Sequence, residues 1–224
     1  MARETEIKLK ITDVTAFHRA LERMGAHPVG HGISRVHEEN VIFDTPKNGL
    51  ARKGQLLRIR TETPDVAGEL KPPGPKQRVL LTFKRPIGNQ DSETVSEAYG
   101  PYKVREEIEL EVADAGILAR IFEGLGMNGW FCYEKYRTTF RLPDSNLWAK
   151  GLLIELDETP IGTFVELEGP AAAIDRVAEE LGFSKRDYIL QNYLSLYVED
   201  CRRKGQEPRH MLFPNHKELS RNSK

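Results

Sequence analysis

Apolar and charged positions alternate from Glu4 to Ile11, so a strand there sends Ile7, Leu9 and Ile11 to one face and Glu4, Glu6 and Lys8 to the other. Similar runs recur near residues 36–44, 55–61, 78–85, 132–142 and 151–157, and in segments led by Arg105 and Phe164. Together they predict eight strands, for which antiparallel pairing is the natural arrangement. The stretch from Glu6 to Asp13 is repeated from Glu107 to Asp114 at an offset of 101, and Gly25 and Gly126 keep the same offset. Each copy reads as a strand, an Asp suited to cap a helix, an amphipathic segment and a terminating Gly. A looser third copy runs from Phe164 to Gly182, with Pro170 near the first helical turn. A last helix, roughly Asp187 to Arg203, gathers Ile189, Tyr193, Leu196 and Tyr197 on one face and is expected to cover the barrel.

Two long breaks interrupt the pattern. Residues 63–77 contain Pro64, Pro72, Pro73 and Pro75, and residues 86–101 are polar between Pro86 and Pro101; both are predicted to be mobile loops. From Lys204 to Lys224 the chain is polar, with Met211 and Phe213 as a small apolar patch able to dock. The reading is therefore one domain over residues 1–203 and a loosely attached tail over 204–224.

The alternation sorts charge as well as hydropathy. Arg58 and Arg60 lie opposite Leu57 and Ile59, Thr82 and Lys84 opposite Leu81 and Phe83, and Arg105, Glu107 and Glu109 opposite Ile108 and Leu110. Further on, Lys135 and Arg137 flank Tyr136, Glu155 and Asp157 oppose Ile154 and Leu156, and Glu166 and Glu168 oppose Val165 and Leu167. A solvated sheet face explains any one strand. It explains the set poorly, because individual strands are committed largely to acids or to bases. If the apolar side meets the helices, the charged side lines a tunnel. The fold expected is α+β: an eight-stranded antiparallel β-barrel with a charged interior and helices outside. Burying so many charges is costly unless they are paired or hold ions, so the tunnel suits a charged ligand. Carboxylates take Mg²⁺ or Mn²⁺, and Arg with Lys takes phosphate oxygens; together they fit a metal-bound polyphosphate.

Composition narrows the alternatives. A chain of 224 residues with 39% hydrophobic and 30% charged residues suits a single domain with a real core. Its net charge of -1 provides no overall basic field for nucleic acid or an anionic membrane. No stretch approaches the roughly 18 apolar residues of a membrane span, and Cys132 and Cys201 form no CxxC pair, so a cytoplasmic protein is expected. His18, His27, His31, His37, His210 and His216 show no compact metal-ligand spacing. Neither a P-loop nor a Gly-rich dinucleotide fingerprint is present, which leaves phosphate binding to the strands.

These residues resemble the CYTH superfamily, the triphosphate tunnel metalloenzymes that include class IV adenylyl cyclases, thiamine triphosphatases and inorganic triphosphatases. The resemblance starts with ExExK at Glu4, Glu6 and Lys8. It continues through Asn40 to Pro46, Leu57 to Arg60, Thr82 to Lys84, Arg105 to Glu109, Lys135 to Arg137 and Ile154 to Glu168. It implies metal ligands among Glu4, Glu6, Glu166 and Glu168, with Asp157, Glu107 and Glu109 as nearby acids, and Mg²⁺ or Mn²⁺ as cofactor. It implies phosphate binding by Lys8, Arg58, Arg60, Lys84, Lys135 and Arg137, with Arg105 added, and catalytic roles for Glu4, Glu6, Lys8 and Asp157. The partner implied is a triphosphate-containing small molecule, and the barrel exterior leaves faces for a homodimer. Class IV cyclases tend to carry a His-Phe pair just before ExExK, where this chain has Met1, Ala2 and Arg3. Triphosphate hydrolysis is therefore the favoured expectation, ahead of a class IV adenylyl cyclase and of a non-enzymatic polyphosphate or nucleotide receptor.

Overall fold

The computed structural model describes residues 2–29, 35–65, 77–87 and 100–214. Nine strands form one sheet: β1 (Ala2–Ile11), β2 (His27–Pro28), β3 (Arg35–Asp44), β4 (Leu56–Pro64), β5 (Arg78–Pro86), β6 (Lys103–Val112), β7 (Asn128–Arg141), β8 (Leu153–Thr159) and β9 (Gly162–Glu168). Their order is β2-β7-β3-β4-β5-β6-β1-β9-β8, and β8 pairs back onto β7. Eight strands thus close an antiparallel barrel, as the alternation predicts, and β2 adds a ninth beside β7. At two residues β2 is too short to carry a readable period. The predicted loops at 63–77 and 86–101 fall largely on residues 66–76 and 88–99, outside the described residues.

Helices α1 (Val14–Met24), α2 (Ala115–Gly124) and α3 (Ala171–Glu180) follow β1, β6 and β9, and those three strands stand side by side in the wall. The internal repeat is thereby a structural one. Asp13 Oδ1 accepts a hydrogen bond from Ala16 N, and Asp114 Oδ1 accepts from Ile117 N, each at 2.8 Å. These caps satisfy amide groups that a helix start leaves open. Pro170 occupies the N-cap position of α3 without a side-chain bond, and Gly25 ends α1 at a φ of 70°, in the left-handed region. Gly169, at a φ of 147°, lets the chain pass between β9 and α3: a Cβ there would meet Gly151 O at 2.8 Å and the Leu152 Cα at 2.9 Å.

The apolar core lies outside the barrel wall. Ile7 and Leu9 of β1, Ile154 of β8 and Val165 and Leu167 of β9 pack against Phe17 and Leu21 of α1 and Ile174 and Val177 of α3. Each such buried side chain contributes about 1.5–3 kcal/mol. A second cluster joins Phe43, Ile59 and Val79, on β3, β4 and β5, to Phe122 of α2. Among the described residues α2 reaches Val112 of β6 but not Ile108 and Leu110, which are 48% and 60% exposed.

The C-terminal segment differs from its sequence reading. Residues 185–187 form a single 3-10 turn, and α4 (Tyr193–Lys204) starts later than Asp187, capped by Asn192. The intervening chain is extended because it fills an open strand edge. Lys8 N donates to Ile189 O at 3.1 Å and Ile189 N to Lys8 O at 2.8 Å, on the side of β1 that β6 leaves unpaired beyond Glu6. The tail repeats the device. Met211 pairs parallel to Tyr133, with Met211 N donating to Cys132 O and Glu134 N to Met211 O, both at 3.0 Å, where β8 does not reach β7. Met211 is 1% exposed and packs with Phe131, Tyr133 and Tyr193, so residues up to Phe213 are docked rather than loose. No helix among the described residues is long and apolar enough to cross a membrane.

Candidate active site

Antiparallel register sets acids beside bases, and at one point beside another acid, across the barrel interior. Glu4 lies opposite Arg105, Glu6 opposite Lys103 and Glu168, Lys8 opposite Glu166, Lys84 opposite Glu107, Glu38 opposite Lys135, and Arg137 opposite Asp157. The result is a cavity of about 820 Å³. Its lining includes Glu4, Glu6, Lys8, Arg58, Arg60, Lys84, Arg105, Glu107, Glu109, Lys135, Arg137, Glu166 and Glu168. Of the residues singled out from sequence, Asp157 alone is absent from the lining. It is fully buried on the same face of β8 as Glu155, where it accepts from Lys135 Nζ at 2.9 Å, Arg137 Nε at 2.7 Å and Tyr193 Oη at 2.6 Å. In that place it fixes the directions of two basic side chains.

The remaining contacts divide the interior. Lys8 Nζ meets Glu166 Oε1 at 2.6 Å, Lys84 Nζ meets Glu4 at 2.6 Å and Glu107 at 3.3 Å, and Lys103 Nζ bonds Glu6. Arg137 also bonds Glu155 and Glu166. Arg60 is held by Asn40 at 3.0 Å and Glu38 at 3.2 Å. Arg58 is different: it donates to Tyr133 Oη and Thr82 Oγ1, each at 3.1 Å, and neither it nor Arg105 has a carboxylate ion-pair partner among the described residues. Arg58 is only 6% exposed.

Ionisation follows these contacts. Burial opposes charge on Glu6, but Lys103 and Lys8 hold its carboxyl down at about 2. Burial likewise opposes charge on Glu38, which Arg60, Lys135 and Arg137 hold at about 2. Glu166 is kept well below the usual range against burial by Lys8, Lys135 and Arg137. At neighbouring acids the balance reverses. Burial, with the carboxylates of Glu155 and Glu4 nearby, pushes Glu168 up to about 8. Burial, with Glu166 and Asp157, lifts Glu155 to about 7 in spite of Arg137. Glu4 is raised by burial and by Glu6 and Glu107, against the pull of Lys84.

Mutually repelling carboxylates around Glu4 and Glu168 have the chemistry of a hard-cation site, since a divalent ion with oxygen ligands would relieve their repulsion. Glu4 Oε2 is buried without a hydrogen bond, which leaves it available as a ligand. Among the described residues no group of three His, Cys, Asp or Glu side chains is arranged to hold a metal ion as it stands, and several of these acids are engaged by lysine ammonium groups instead. The donor set fits Mg²⁺ or Mn²⁺, with Glu4, Glu168 and Glu107 closest to doing so.

Sequence reasoning missed several participants. Lys103 and Tyr133 each lie two residues before a recognised base on the same strand, so alternation alone could have found them. Glu38 and Asn40 sit on a strand with no clean acid or base commitment. Tyr193 arrives from α4, which no strand period announces. Tyr188, by contrast, donates to Asp175 at 2.9 Å and serves helix packing, and Asp44 organises a turn by accepting from Leu50 N and Ala51 N.

A barrel whose wall turns opposed acids and bases into one cavity is the architecture of the CYTH domain, and the model of that family matches residues 2–193. The chain belongs to the CYTH family. A Methanocaldococcus jannaschii protein bearing the name "Putative adenylate cyclase" is 26% identical over 204 residues, covering 86% of this chain and 97% of that protein. Among solved structures, a Pyrococcus horikoshii protein aligns with a TM-score of 0.63 at 22% identity, over 88% of this chain and 99% of its own. A Vibrio parahaemolyticus protein, also described as a "putative adenylate cyclase", aligns with a TM-score of 0.61 at 18% identity, over 86% and 96%. At such identities the two structures speak to the fold.

Proposed function

We propose that the barrel interior binds a triphosphate together with Mg²⁺ or Mn²⁺ and hydrolyses it, with inorganic tripolyphosphate or an organic triphosphate as substrate. The observation that carries this reading is Arg58, a buried guanidinium facing the cavity with no carboxylate partner among the described residues. A buried charge left uncompensated is costly, so the site suits an anion. Arg105, Lys8, Arg60, Lys84, Lys135 and Arg137 surround the same space and extend the basic surface to the length of a phosphate chain. Asp157 and Glu38 keep Lys135 and Arg137 from collapsing toward the cavity, which pre-organises them for charge developing on the phosphoryl oxygens. The metal, held by Glu4, Glu168 and Glu107 with Glu6 and Glu166 beside them, would neutralise phosphate charge and activate water when bound. Glu109 accepts from the Thr82 hydroxyl at 3.1 Å and so orients the group that holds Arg58.

The test is product analysis by phosphorus NMR with tripolyphosphate and either metal. Orthophosphate plus pyrophosphate is expected, and Glu6→Ala should lower the rate roughly a hundredfold or more. No turnover with either ion would overturn the reading in favour of a receptor. A second reading, an adenylyl cyclase, is favoured by the name of the M. jannaschii relative. Cyclic AMP with pyrophosphate from ATP would establish it instead.

A further inference from the structure

Lys103 differs from Lys84 and Lys135 in the number of acids that hold it. Lys135 is shared by Asp157, Glu38 and Glu166; Lys84 is shared by Glu4 and Glu107; Lys8 has Glu166 and lies 4.8 Å from the centre of the Tyr193 ring. Like Lys8, Lys103 has a single ion-pair partner among the described residues, Glu6, which it faces across the last pair of the β1–β6 ladder. It lines the cavity and lies two residues from Arg105 on the same strand face, where no carboxylate is paired to the guanidinium among the described residues.

We infer that Lys103 is a built-in counter-cation of the tunnel: its ammonium holds the Glu6 carboxylate until a divalent cation takes that carboxylate, and then turns on its flexible stem to bind a phosphate oxygen beside Arg105. The inference rests on the proposed reading of the barrel as a metal and triphosphate site. The physical argument is one of exchange. Two cations cannot share Glu6 without repelling each other, so the metal and the ammonium compete for it. The released ammonium, half-buried in the cavity, is then without its carboxylate, a costly state that an incoming phosphate relieves. Metal and phosphate binding are thereby coupled through one side chain, and each strengthens the other. Lysine suits this part because it is a compact charge on a four-carbon stem with three rotatable donors.

The experiment is Mn²⁺ binding to the full chain with no phosphate present, followed by the EPR signal of free Mn²⁺, for the wild type, Lys103→Met and Lys103→Arg. Removal of the competing charge should tighten Mn²⁺ binding about tenfold in Lys103→Met, and Lys103→Arg should return it toward the wild-type value. A lysine that merely supports Glu6 predicts the opposite, equal or weaker binding in Lys103→Met. If the wild type binds Mn²⁺ and Lys103→Met binds it no more tightly, the inference falls and the tunnel reading stands. If neither protein binds Mn²⁺ at millimolar concentration, both fall. Circular dichroism melts report whether each variant is folded, and Lys103→Gln replaces Lys103→Met should the latter not fold.

Discussion

Glu38 shows what keeps a charge inside this barrel. At 2% exposure it faces Arg60, Lys135 and Arg137, and it is ionised because three cations outweigh its desolvation. Removing one partner of such a group leaves the others uncompensated, so Glu38→Gln is expected to destabilise the fold by about 3–5 kcal/mol in chemical denaturation. The pH dependence follows from the same shift. The folded value of about 2 lies below the ordinary 4.5, so the folded state binds fewer protons between those values. The contribution of Glu38 is fully present above pH 4.5 and is lost as the pH falls toward 2. Relative to the wild type, Glu38→Gln should show a shallower loss of stability across that acid range; an identical slope would refute the assignment. The sorting of Arg58, Lys84, Lys135 and Glu166 to one face was legible from alternation, since period-two geometry is a local property. The role of Asp157 was not. It is held in part by Tyr193, which comes from a distant helix.

At the scale of elements, the repeated strand and helix units rest on caps that were readable as residue types. Asp114→Ala is expected to cost about 0.5–2 kcal/mol, because Ile117 N loses its acceptor, and urea unfolding measures it. An unchanged midpoint would mean that water replaces the cap without loss. The late start of α4 was not readable. Ile189 has a helical partner pattern with Tyr193 and Leu196, yet it is used as a strand residue because Lys8 presents open backbone groups there. A buried backbone amide without a partner costs more than a helical turn contributes, so the tertiary edge overrides the local period.

For the whole molecule, closure of the barrel is the decisive event. Staggered strands leave gaps at β1 and β7, and the chain after β9 fills both, with Ile189 at one and Met211 at the other. Met211→Ala should therefore destabilise the protein by about 2–5 kcal/mol despite lying in a segment that reads as a polar tail, and thermal melts would show it. If the melting temperature does not move, the docking of residues 205–213 does not contribute to closure. The sequence by itself determined the strand and helix types, the two faces of each strand and the bases and acids that share the interior, because these depend on periods of two and 3.6 residues along the chain. Only the tertiary structure decided which acid meets which base, that Arg58 has no carboxylate ion-pair partner among the described residues while Glu6 has Lys103, and that Ile189 and Met211 complete the wall. Those outcomes depend on register and stagger between strands far apart in the chain, and an alternation that repeats every second residue carries no information about which partner will stand opposite.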